Sequence, residues 1–151
     1  MLLAARTPPR HGSVWTCSLR SKVPTGPGLG RDPDAAVLAK YQFSRRIMVS
    51  SFRHDVVYRC AEELELDCAL LIANRPLEMD SLMADCSGKP RIQNVVWDYN
   101  ILDESMLRAV TAYGWNNYVY GALTAEEHAR CAGLGLHGLI TDHPQRAGGG
   151  A

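Results

Sequence analysis

The chain has 151 residues, 16 of them basic and 16 acidic, with 46% apolar and 21% charged content, the composition of one globular domain. Its formal net charge of zero provides no electrostatic basis for binding nucleic acid or an anionic membrane surface, and no apolar run approaches the ~20 residues that span a bilayer. Five scattered cysteines, at 17, 60, 68, 86 and 131, have neither an even count nor Cys-x-x-Cys spacing, which favours free thiols in a reducing compartment.

Residues 1–33 form a leader unlike the rest. Up to Arg31 it holds four Arg and one Lys, and no acidic residue precedes Asp32. Pro8, Pro9, Pro24, Pro27 and several glycines break any periodicity, so the leader reads as disordered or as a misplaced translation start. An Arg-containing, acid-poor segment also fits a transit peptide. The compartment expected is therefore the cytoplasm, with the mitochondrion as the alternative if the leader is a targeting signal.

From Asp34 to Pro144 strand-like and helix-like segments alternate. Asp34 to Ser44 begins a helix, and Ile47–Phe52 is a short strand of the buried kind. Val56, Val57, Cys60, Ala61 and Leu64 recur at helical spacing, predicting an amphipathic helix over 54–65. Cys68–Ala73 is the next strand, and a weaker helix over 77–85 stops before Gly88 and Pro90. Asn94–Trp97 is a third strand. Asp103 caps a helix whose inner face carries Leu107 and Val110, and Gly114 ends it. Tyr118–Tyr120 is a fourth strand. Thr124 and Glu127 stand at capping-box spacing before a helix that runs to Gly133. Leu136–Thr141 is the fifth strand, Pro144 blocks its extension, and 145–151 is a flexible tail. Such alternation implies βαβ units and a parallel sheet.

Three stretches of this order carry a family likeness: Arg46-Ile47-Met48-Val49-Ser50-Ser51-Phe52; Ala112-Tyr113-Gly114 through Leu123; and Gly135-Leu136-His137-Gly138-Leu139-Ile140-Thr141-Asp142-His143-Pro144. Together they resemble the C-terminal half of the glycerophosphodiester phosphodiesterases. The resemblance implies the α/β fold of a partial TIM (β/α) barrel with about five parallel strands over 34–144. It also implies, for the family, hydrolysis of glycerophosphodiesters to glycerol 3-phosphate and an alcohol in lipid metabolism. That chemistry uses a divalent cation, Mg²⁺ or Ca²⁺, held by carboxylates, and a pair of histidines as acid and base. In the family those groups precede the Ser-Phe strand, as His-Arg-Gly, Glu-x-Asp, a further Glu and a later His. The 46 residues available there contain no His-Arg, no Glu-x-Asp and no glutamate. No catalytic residue and no metal ligand is therefore assigned in this chain, and by itself it is expected to be inactive.

Four residues are expected to line a substrate pocket at the C-terminal strand tips, where α/β proteins bind ligands. Phe52 is an apolar wall, Tyr120 stands where the family has tryptophan, Trp97 closes its strand, and Asp142 lies at the rim. Leu123 replaces the family's Asn, and His137 stands where Asp is usual. His54-Asp55 opens a helix, where capping is the ordinary role. Half a barrel also exposes two sheet edges and an apolar inner face. Leaving about 1,000 Å² of that face in water would cost about 25 kcal/mol, more than the ~5–15 kcal/mol stability of a domain. The chain is therefore expected to self-associate through the edges, to pair with a missing second half, to flatten into an open sheet, or to be unstable alone. The alternative function is a non-catalytic half-barrel remnant acting in binding or assembly.

Overall fold

The structure, a computed structural model, describes residues 5–6, 15–18, 47–86 and 88–146. The expected helix over 34–44 lies outside them. The regular elements are β1 (Ala5–Arg6), β2 (Trp15–Ser18), β3 (Ile47–Ser51), α1 (His54–Glu63), β4 (Asp67–Ile72), α2 (Met79–Asp85), β5 (Ile92–Asp98), α3 (Glu104–Ala112), β6 (Asn116–Tyr120), α4 (Ala125–Gly133) and β7 (Gly138–Ile140). Short 3₁₀ turns follow β5, at Tyr99–Ile101, and β7, at Pro144–Arg146.

One seven-stranded sheet runs in the order β1-β7-β6-β5-β4-β3-β2. Strands β3 to β7 are consecutive and parallel, as right-handed helical crossovers demand. These five strands with their helices are the expected half barrel. β2 extends one edge in parallel with β3, and β1 extends the other antiparallel to β7. The two edge strands approach each other, so the sheet curls. Both fall inside residues 1–33, where four or fewer residues per strand leave no periodic signal.

Strand alternation sorts the core into two faces. Val49, Leu70, Val95, Trp97 and Val119 pack towards the helices, against Val57 and Cys60 of α1 and Leu107 and Val110 of α3. Met48, Ala69, Leu71, Val96, Tyr118 and Ile140 form the opposite, inner face. Each of these inner residues is buried within the single chain. The helix starts follow their sequence signals. The Asp103 side chain accepts from Ser105 N–H at the head of α3, and Thr124 and Glu127 complete a reciprocal capping box on α4. Gly114, at φ +78°, supplies the left-handed residue that ends α3 and turns the chain into β6. None of the described helices is long and apolar enough to cross a membrane.

Candidate functional site

The C-terminal ends of β3, β5, β6 and β7 leave Phe52, Asp98, Tyr120 and Thr141-Asp142 at one end of the sheet. Phe52 follows β3 immediately and is 52% exposed, so its ring is not core material. It stands edge-to-face with Tyr120, centroids 6.0 Å apart and planes at 76°, the arrangement aromatic quadrupoles favour. Asp98 and Tyr120 are register partners on β5 and β6, which sets the phenol beside the Asp98 carboxylate. Burial, then the neighbouring Asp98 side chain and its negative charge, push the phenol well above its ordinary range.

Asp98 is held in turn by its own loop. Its Oδ1 accepts from Asn100 N at 2.8 Å and from Asn100 Nδ2 at 2.9 Å, an Asx turn that starts the 3₁₀ segment. Gly121, at φ +84°, lets the backbone leave β6 beside this carboxylate; a Cβ there would lie 3.9 Å from Asp98 Oδ1. The neutral Tyr120 phenol can both donate its proton and accept from a ligand hydroxyl. The half-exposed Phe52 ring offers an apolar wall next to it. The pair suits a small polyol better than a bare anion.

Trp97 does not join this cluster. Its side chain is fully buried on the helix side, and Nε1 donates to Asn117 Oδ1 at 2.9 Å. Asn117 Nδ2 donates onward to Leu107 O at 3.0 Å and Thr111 Oγ1 at 3.1 Å, which ties β6 to α3. The physical reason is the pleat: Val96 and Asp98 face inward, so Trp97 between them faces the helices. Asp98 takes the place at this strand tip.

Asp142 is exposed on the loop that leaves β7, between buried Thr141 and half-buried His143. Thr141 Oγ1 accepts from His143 N at 2.9 Å and lies 2.8 Å from His128 Nε2. Arg146 in the following 3₁₀ turn donates to the Leu123 carbonyl, holding the loop beside the start of α4. The His54-Asp55 pair has no joint role. Asp55 binds the Arg53 guanidinium at 2.6 Å, while His54 Nε2 lies 3.3 Å from Leu71 O. Among the described residues, no group of three or more His, Cys, Asp or Glu is placed to hold a metal ion.

The family model for the glycerophosphoryl diester phosphodiesterase family matches residues 31–146. Among solved structures, a protein described as a glycerophosphoryl diester phosphodiesterase from Silicibacter pomeroyi DSS-3 superposes with a TM-score of 0.62 at 20% identity, over 74% of this chain and 40% of that one. An Oleispira antarctica phosphodiesterase, solved in complex with the product sn-glycerol-3-phosphate, superposes with a TM-score of 0.62 at 15% identity, over 75% of this chain and 45% of that one. At these identities the likeness is one of fold, and the chain spans less than half the length of either. No curated protein sequence matches it.

Proposed function

Since the chain belongs to the glycerophosphoryl diester phosphodiesterase family, we propose that its strand-tip face binds the glycerol end of a glycerophosphodiester and does not hydrolyse it unaided. The observation that carries this reading is the Phe52–Tyr120–Asp98 cluster. An aromatic wall meets the carbon skeleton, and the lone pairs of the Tyr120 phenol accept from a hydroxyl. Asp142 lies at the rim.

The family's reaction is a phosphoric diester hydrolysis that needs an activated oxygen nucleophile, a proton for the leaving alkoxide and cationic help at the phosphoryl oxygens. Members are generally metal-dependent. The described residues do not fit the ion: Asp98 is engaged by Asn100, Asp142 lies on the loop after β7, and no group of three or more His, Cys, Asp or Glu among the described residues is placed to hold it. No hydrolytic step is therefore routed through this chain's residues. The reading favours a binding half of a barrel, whose hydrolytic activity would need metal- and histidine-bearing strands from elsewhere.

Isothermal titration of the full chain with sn-glycerol 3-phosphate tests the proposal. Saturable binding is expected, weakened by about three- to tenfold in Tyr120→Phe, the range of one neutral hydrogen bond. Absence of binding, or unaltered affinity in Tyr120→Phe and Phe52→Ala alike, would remove the cluster from any site.

A further inference from the structure

The β7 tip is held by a chain of hydrogen bonds whose direction can be deduced from its ends. His128, on the first turns of α4, is 3% exposed. Its Nδ1 lies 2.6 Å from the Thr124 carbonyl oxygen. A carbonyl oxygen can only accept, so Nδ1 carries the ring proton; the other tautomer would press a nitrogen lone pair against an oxygen lone pair. In the neutral ring Nε2 is then the acceptor. Thr141 Oγ1, 2.8 Å away, must donate its proton to Nε2. The Thr141 lone pairs remain, and one of them accepts from His143 N–H at 2.9 Å.

We infer that His128 is a positioning residue for the tip of β7, and that it acts as the Nδ1–H tautomer. The ring reads the carbonyl at the cap of α4 and fixes the rotamer of the Thr141 hydroxyl. That hydroxyl closes a turn from Thr141 to His143, with Asp142 as its middle residue. The backbone that carries this exposed carboxylate is thereby fastened to a buried side chain on a different element. The relay joins the capping box to the strand tip: Thr124 gives its side chain to Glu127 N–H and its carbonyl to His128. Nothing in this requires that the tip bind glycerophosphodiesters, so it stands apart from the binding proposal.

Nitrogen-15 NMR of the full chain, labelled at histidine, tests it. His128 is expected to show a protonated Nδ1 and an unprotonated Nε2. In Thr141→Val, which keeps the shape and loses the hydroxyl, hydrogen exchange of the His143 amide should accelerate by about tenfold, while Thr141→Ser keeps the protection. His128→Gln, with one donor and one acceptor, should restore part of what His128→Ala loses. A ring protonated on Nε2, or His143 exchange unchanged in Thr141→Val, would overturn the inference. Should His128→Ala fail to fold, the wild-type spectrum and the two Thr141 variants still decide.

Discussion

Tyr120 is a side chain acted on from two other strand tips: Phe52, after β3, packs against its ring, and Asp98, on β5, sets a negative charge beside its phenol. The raised phenol has a pH consequence whose sign follows from linkage. A group whose pKa is higher folded than unfolded contributes its full stability below the unfolded value, 10.0 here. That contribution is lost as pH climbs past it towards the folded value. Urea midpoints should therefore fall between about pH 9 and 11, and the fall should be smaller in Tyr120→Phe; an identical fall in both proteins would show that folding does not raise the Tyr120 phenol. Tyr58, raised by burial beside Cys86, contributes in the same window and is common to both.

The residues at this scale were unequally legible. Phe52 and Tyr120 stand out because an aromatic at a parallel strand's tip has a reason to be there. Trp97 misleads because Val95, Val96 and Trp97 are apolar without a break, as in any strand buried on both faces, and the run hides its phase. The partner that satisfies its indole, Asn117, is 20 residues away.

At the scale of elements, the capping box of α4 has two duties. Glu127 accepts from the N–H groups of Leu123 at 2.6 Å and Thr124 at 2.9 Å, and Thr124 Oγ1 accepts from Glu127 N at 3.2 Å. Thr124→Ala should cost about 1 kcal/mol in thermal or urea unfolding, with Thr124→Ser near wild type. A loss well above 2 kcal/mol would show that the Thr124 side chain supports more than the start of α4. The same hydrogen bonds hold the Glu127 carboxyl below its usual range, so its contribution is complete above the unfolded pKa and disappears as pH falls through the lowered one. Local signals of this kind were readable at Asp103, Gly114 and Thr124, since caps and stops depend on a few adjacent residues. Strand ends were less so: β5 begins two residues before the expected Asn94, and β7 is confined to Gly138–Ile140. Such limits depend on which neighbour supplies hydrogen bonds, and no single strand's sequence contains that.

For the whole molecule, the cost of half a barrel is met differently from the remedies considered at first. The inner face of Met48, Ala69, Leu71, Val96, Tyr118 and Ile140 is buried inside one chain, and β1 and β2 cover the edges of β7 and β3. A parallel strand with an unpaired edge is a template for association. Deleting residues 1–18 should therefore bring concentration-dependent association, or loss of a cooperative transition, read by light scattering alongside thermal unfolding. A deletion variant that stays monomeric and unfolds like the full chain would show that the edge strands protect nothing.

On the proposed function, this chain binds the glycerol end of a glycerophosphodiester at its strand tips and does not hydrolyse it unaided. The most direct test is hydrolysis of glycerophosphocholine by the purified full chain, with Mg²⁺ or Ca²⁺ and with chelator, followed by release of glycerol 3-phosphate. The account predicts no turnover above the uncatalysed background under any of these conditions. Metal-stimulated turnover that chelator abolishes would contradict it, and would mean that this chain assembles a catalytic centre from residues given no part in one here.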